Sequence, residues 1–162
     1  KPLEANVDKN YFKAFITDIG LLMAMYPLST SQEFLLNGLD SRKGAIFENL
    51  LAITINKAGL PLYYFSNGKE HLEIDFILED NEGIILLEEK SVNGKMAASK
   101  NVMEGKTKYK AKICYKIIQG NFGQGNFYTS IPQYAISFLL DKIKFDLEKG
   151  INFEPLIYPT NL

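Results

Sequence analysis

The strongest constraint on this chain is a hairpin. Residues 72–78 and 84–90 alternate with period two, and between them Asp80-Asn81-Glu82-Gly83 is polar and ends in glycine, as a tight turn favours. A hairpin centred between Asn81 and Glu82 pairs residues whose numbers sum to 163, which sets Asp75 opposite Glu88. On the first strand Leu72, Ile74, Phe76 and Leu78 share one face, leaving Glu73, Asp75 and Ile77 on the other. On the second, Ile84, Leu86, Glu88 and Lys90 share a face and Ile85, Leu87 and Glu89 point away. Like charges facing each other across a sheet are destabilising by about 0.2–1 kcal/mol at an exposed site, and a cation between them reverses the sign.

Asp75, Glu88 and Lys90 form an Asp-x12-Glu-x-Lys array. Two carboxylates and water suit Mg²⁺, a hard ion that keeps much of its hydration shell and bridges to phosphate oxygens, with Mn²⁺ as a substitute. Lys90, next along the strand, supplies a point charge to orient a water nucleophile or neutralise a phosphorane. The competing reading is a surface hairpin with a solvated Glu-Lys pair. Glu48 bears on the choice. It lies on a helix expected over 44–58 that is apolar nearly all round, which implies burial on more than one side. Its helical neighbours are Gly44, Ala45, Leu51, Ala52 and Ile55, so its carboxylate needs either a metal or a lysine partner.

At 162 residues with 46% hydrophobic content, the chain can bury the core of one compact domain with a small appendage, and disordered or fibrous classes are excluded. Cys114 is the single cysteine and sits in the apolar run 113–118, so no internal disulfide forms. A buried thiol in the reducing cytoplasm is the expectation. No apolar stretch approaches the ~20 residues of a membrane span, and no signal peptide is seen. The start at Lys1, without methionine, reads as a fragment cut from a longer protein.

Net charge is only -1, yet residues 1–89 carry 7 basic and 14 acidic side chains, while 90–116 carry 8 lysines against Glu104 alone. Lys90, Lys95, Lys100, Lys106, Lys108, Lys110, Lys112 and Lys116 thus form a basic segment suited to a polyanion, with Lys95, Lys100 and Lys106 as candidate substrate contacts. A solvated lysine face is the plainer alternative. The lack of clustered arginine argues against a dedicated reader of base edges.

One or two N-terminal helices are expected between Tyr11 and Met25, capped by Asp18, followed by a break at 27–31 and a short helix over 32–39. Ser41-Arg42-Lys43-Gly44 leads into the buried helix, which Gly59 ends. A strand over 62–65 is closed by Ser66-Asn67-Gly68, and the hairpin follows. Residues 91–95 read as loop, 96–109 as helix broken by Gly105, 113–118 as strand and 134–145 as the last helix. Some signals fail. Gly105-Lys106-Thr107 lacks the first glycine of a phosphate-binding loop, because Lys100 stands there. His71 is the lone histidine, so neither a zinc cluster nor a Ser-His-Asp triad has support. Tyr63, Tyr64 and Phe65 could stack bases, but packing in the sheet is the commoner role.

Gly44-Ala45-Ile46-Phe47-Glu48-Asn49, Tyr63-Tyr64-Phe65, Glu73-Ile74-Asp75-Phe76 and Leu87-Glu88-Glu89-Lys90-Ser91, in that order, resemble the C-terminal domain of unknown function of prokaryotic AAA-type ATPases. Thr17-Asp18-Ile19-Gly20-Leu21-Leu22 and Ile131-Pro132-Gln133-Tyr134-Ala135 fit the same pattern, so the resemblance covers nearly the whole chain. That domain is similar to the PD-(D/E)XK restriction-endonuclease-like superfamily. The resemblance implies an α/β fold with a central mixed four-stranded sheet flanked by helices. It divides the chain into an N-terminal helical segment (1–40), the core (41–145) and a C-terminal tail (146–162). It implies Asp75 and Glu88 as metal ligands, Lys90 as the catalytic lysine and Glu48 as a helix-borne acid assisting metal or water. Ile74 replaces the usual proline, and Glu89 replaces an apolar residue, which suggests looser burial. A metal-dependent nuclease acting on DNA is the leading expectation, with ATP bound only by a covalently linked upstream ATPase domain. A noncatalytic DNA- or protein-binding module of that ATPase is the alternative. A homo-oligomerisation domain stays open as a third.

Overall fold

The structure is a computed structural model that describes residues 3–36, 40–67, 72–91, 93–107 and 109–149. Expectations for Leu39, Gly68, His71, Lys108 and the tail beyond residue 149 fall outside the described residues. The helices are α1 (Ile19–Ala24), α2 (Leu28–Leu35), α3 (Asp40–Lys57), α4 (Ala97–Met103) and α5 (Ile136–Lys149). The strands are β1 (Tyr63–Asn67), β2 (Leu72–Asp80), β3 (Gly83–Glu89), β4 (Ile113–Ile118), β5 (Gly123–Gln124) and β6 (Thr129–Pro132).

The fold is α/β, but its sheet has six strands rather than four, in the order β1-β2-β3-β4-β6-β5. β1, β2 and β3 form an antiparallel meander, β4 and β6 continue it in parallel, and β5 returns antiparallel at the edge. β5 and β6 are too short to leave a periodic signal, which is why the sequence did not reveal them. All six residues of β4 are buried, as expected of a parallel strand covered on both faces. One core joins Leu51, Ala52 and Ile55 of α3 and Leu139, Leu140 and Ile143 of α5 to Phe76, Ile85, Leu87 and Tyr115. The other packs Ala98 and Val102 of α4 on Ile74, Leu86 and Cys114. The sheet is thus the middle of three layers.

Several boundaries shift for physical reasons. α3 begins at Asp40, so Ser41 to Gly44 lie inside the helix instead of leading into it. It buries Ile46, Asn49, Leu51, Ala52 and Ile55 but exposes Ala45 and Leu50, a narrower buried face than its composition suggested. Gly59, at φ 77°, ends it, with the Leu60 amide bonded back to the Ile55 carbonyl at 3.2 Å. The same device stops α4: Gly105 has φ 69° and Lys106 N reaches Asn101 O at 2.9 Å, so the helix expected over 96–109 with a break at Gly105 ends at Met103 and does not resume. Pro27 does not break a helix but stands at the cap position of α2, which starts at Leu28. Asp18 caps α1 as expected, accepting from Leu21 N at 2.7 Å.

The hairpin register is the one read from the turn: Phe76 pairs with Leu87 and Asp80 with Gly83. Asp80 Oδ1 accepts from the Glu82 and Gly83 amides at 2.9 and 2.8 Å, and Lys112 Nζ meets Asp80 Oδ2 at 3.1 Å and also Glu82. The facing pattern of β2 differs. Tyr63 pairs with Ile77 and Phe65 with Ile74, so two steps along β1 oppose three along β2, and a bulge falls at Asp75-Phe76. Ile74 therefore packs on the α4 side although Phe76 and Leu78 pack on the α3–α5 side. Strict alternation had put all three in one row.

The N-terminal segment is tied to α3 by Asn49. Its Oδ1 accepts from Ile16 N at 2.9 Å and its Nδ2 donates to Ile16 O at 2.8 Å, so one amide satisfies both backbone groups of Ile16. Asn49→Ala is expected to cost about 1–3 kcal/mol, because both groups lose their partner. Denaturant titration should show the loss, and hydrogen exchange should be faster at Ile16 than in β3.

Candidate functional site

The ladder between β2 and β3 ends at Phe76–Leu87, one pair short of Asp75 and Glu88. Beyond it the two strands are joined by side chains. Asp75, buried at the bulge, accepts through Oδ2 from the Glu89 amide at 2.9 Å and from Lys90 Nζ at 2.7 Å. Lys90 Nζ also lies 3.3 Å from Glu88 Oε2. The cation that two facing carboxylates require is therefore an ammonium of this chain. Burial by itself would lower the Lys90 pKa, but Asp75 and then Glu88 outweigh it and hold it above the ordinary lysine range.

Glu88 is fully buried on the α4 side. Ser99 Oγ of α4 donates a hydrogen bond to its Oε1, whereas Oε2 has the ionic contact with Lys90 but no hydrogen bond. Desolvation raises its pKa against the opposing pull of Ser99 and Lys90. Cys114 lies nearby, its thiol pushed up to about 12 by burial and then by the Glu88 charge, which suits an inert packing role.

On the α3 side, one carboxylate oxygen each from Glu48, Glu73 and Asp75 lie within 4.8 Å of one another. Glu48 is half-buried, and Lys13 of the N-terminal segment meets its Oε1 at 2.8 Å and also meets Glu73 Oε1. The lysine partner that sequence reasoning offered for Glu48 is thus present. Burial pulls the Lys13 pKa down, but bonds and charges from Glu48 and Glu73 more than reverse this. The Lys13 ammonium also sits 5.2 Å from the centre of the Tyr64 ring.

Glu89 corrects the expectation of looser burial. It is 9% exposed, and Gln133 Nε2 donates to its Oε1 at 2.9 Å. Burial raises its pKa to about 7, against the stabilising contributions of Gln133 and Lys90. Together with Gln133 it borders a groove of about 240 Å³ between α3 and α5.

The basic segment is less uniform than its composition. Lys100 and Lys106 both pair with Glu104, Lys112 closes the β2–β3 turn, and Lys116 is buried with Nζ 3.1 Å from Gly94 O and 5.3 Å from the Tyr128 ring. Lys95 and Lys110 are exposed. Of the candidate substrate contacts, Lys95 lies on the loop after Lys90, and Lys100 and Lys106 flank Glu104 at the far end of α4. Sequence reasoning placed Glu73 beside Asp75 but gave it no role, and it missed Lys13, Asn49, Ser99 and Gln133. Only Glu73, two residues from Asp75, carried a local signal.

The order helix, meander, helix, parallel strand, with Glu48, Asp75, Glu88 and Lys90 on it, can be set beside known proteins. Residues 43–134, more than half the chain, match the family described as Domain of unknown function (DUF4143). The chain belongs to this family. The matched stretch of the DUF4143 domain holds Glu48, Asn49, Glu73, Asp75, Glu88, Lys90 and Gln133, whereas Lys13 lies outside it. No curated protein and no solved structure matches the chain. Among the described residues, no helix is long and apolar enough to cross a membrane.

Glu89 generates a pH prediction. Its folded pKa, about 7, lies above the ordinary value of 4.5, so the folded state holds the proton more tightly than the unfolded chain. Glu89 then contributes no penalty below pH 4.5, and its cost grows as pH rises towards 7. Glu89→Gln should match the parent near pH 4 and be more stable at pH 8 by about 1–3 kcal/mol. Urea titrations of both proteins at the two pH values, without divalent metal, check it.

Proposed function

We propose that this DUF4143 domain is a metal-dependent phosphodiesterase of restriction-endonuclease-like ancestry that acts on DNA as the C-terminal part of an AAA-type ATPase. The observation that carries the reading is the convergence of Asp75, Glu88 and Lys90 at the point where β2 and β3 part, with Lys90 Nζ 2.7 Å from Asp75 and 3.3 Å from Glu88. The order of elements supports the ancestry: β1, β2, β3 and β4 adjoin in that order, with α3 before the meander and α4 in the parallel crossover. On this reading β5 and β6 extend the core at its parallel edge.

The donor set fits Mg²⁺ or Mn²⁺. All the candidate ligands are carboxylates, as hard cations prefer, and Glu88 Oε2 is buried without a hydrogen bond. Glu48, Glu73, Asp75 and Glu88 outnumber Lys13 and Lys90, so the neighbourhood has anionic character left to neutralise. Asp75 and Glu88 would hold the ion, with Glu48 assisting from α3. The ion would supply Lewis acidity toward a phosphate oxygen and a water.

The chain's own groups do the rest. Lys90, kept protonated by Asp75 and Glu88, offers a fixed positive charge to a phosphate and to the negative charge that develops on it. Ser99 fixes the Glu88 carboxylate by its hydrogen bond to Oε1, leaving Oε2 directed toward Lys90. Gly94 permits the loop after Lys90 to pass close by, since a Cβ there would lie 2.9 Å from Lys90 Cβ. Lys95 on that loop is the lysine best placed to meet a nucleic-acid backbone.

A noncatalytic accessory module is favoured by one observation: Lys13 and Lys90 already pair with the acids, as a purely structural network would have them. Cleavage separates the two readings. Labelled single- and double-stranded DNA should be cut in Mg²⁺ or Mn²⁺ by the parent protein. Asp75→Ala and Lys90→Ala should each lose at least about 100-fold in rate, the scale of removing one positioned charge from a reaction site. Retained cleavage in Asp75→Ala would remove that residue from the site. No cleavage by the parent, alone or joined to the ATPase, would favour the accessory module.

A further inference from the structure

Among the described residues of the basic segment, Lys116 alone is buried, at 3% exposure. It stands on β4 directly beside Glu88 of β3. Burial lowers its pKa, the Glu88 charge opposes this and the Lys90 charge adds to it, so the ammonium lies in the field of both groups. A buried ammonium is costly to desolvate, and a methionine of similar length would fill the same space without that cost. The charge is spent on a particular contact. Lys116 Nζ donates to the Gly94 carbonyl at 3.1 Å, with the Tyr128 ring centre 5.3 Å away.

Gly94 is where the chain after Lys90 turns back onto it. Gly94 N donates to Ser91 O at 2.8 Å, and the turn is so tight that a Cβ at Gly94 would stand 2.9 Å from Lys90 Cβ and 3.1 Å from Ser91 O. The next residue of β4 completes the hold, because Lys90 N donates to Ile117 O at 3.1 Å. Thus β4 grips Lys90 twice: at its amide through Ile117, and at the root of its side chain through Lys116 and Gly94.

We propose that Lys116 is a positioning residue for Lys90, its bond to the Gly94 carbonyl pressing the turn onto Lys90 so that the Lys90 ammonium stays between Asp75 and Glu88. The proposal rests on the nuclease reading above and adds a residue to that site. Without the bond the turn lifts, Lys90 gains side-chain freedom, and its charge is no longer fixed where a phosphate would meet it. An apolar side chain at this position can pack on Tyr128 but offers Gly94 no donor, whereas an arginine offers one.

The test compares the parent with Lys116→Met, Lys116→Arg and Gly94→Ala proteins. Three quantities are read: solvent exchange of the amide at position 94 by NMR, kcat for DNA cleavage in Mn²⁺ at saturating DNA, and the thermal midpoint. Lys116→Met should exchange that amide about tenfold faster than the parent, because the turn opens more often. It should lose about 10- to 100-fold in kcat, the scale of a ~1 Å misplacement, with Lys116→Arg within about threefold of the parent. Gly94→Ala displaces the same turn while keeping the Lys116 ammonium and should lose kcat likewise. Where Lys116→Met fails to fold, Gly94→Ala decides. Unchanged kcat in Lys116→Met, or in Gly94→Ala where that variant decides, overturns the positioning role and leaves the nuclease reading standing, whatever happens to the midpoint. Exchange no faster in Lys116→Met than in the parent overturns the role even where DNA is not cut. No cleavage by any of the proteins, parent included, overturns both.

Discussion

One extra residue in β2 decides where the acid network of this domain forms. Without the bulge at Asp75-Phe76, Asp75 would point to the face opposite Phe76 and Leu78. With it, the carboxylate shares the α3 side with Glu48 and Glu73, while the strand still supplies Ile74 to the α4 core. The bulge also coincides with the end of the β2–β3 ladder, so the Glu89 amide pairs with the Asp75 side chain. Asp75 is thus both a structural closure of the sheet and the junction of the acid network. Bulges commonly re-aim side chains in this way.

How legible this was depended on range. The β2–β3 register followed from four turn residues, because a two-residue turn of known centre fixes every pair up to Phe76–Leu87. β4 was legible to the residue, since Ile113 to Ile118 is a short apolar run between polar stretches. Asp75, Glu88 and Lys90 were legible as a group for the same local reason. The bulge was not, because it is imposed by pairing with β1 and leaves the alternation of β2 formally intact. Lys13 meets Glu48 across 35 positions of sequence, and Gln133 meets Glu89 across 44, so no periodicity links either pair. Gly59 ended its helix as expected, but the helix beyond Gly105 was a different failure. Gly105 was seen, but a glycine within helical spacing can be tolerated or can end the helix, and only its positive φ shows which.

The two sides of the sheet treat their acids differently, which gives the site a direction. Glu88, on the α4 side, is sealed beneath Ser99 and Cys114, with no exposure and a raised pKa. Glu48 and Glu73, on the α3 side, are partly exposed and paired with a lysine from a peripheral segment. Lys90 lies between the two environments and touches Asp75 and Glu88, so movement of charge on the open side reaches the sealed acid through one ammonium. The ion pairs of Lys13 and Lys90 therefore join the open and the sealed acids into one network, with Asp75 as the member that both sides share.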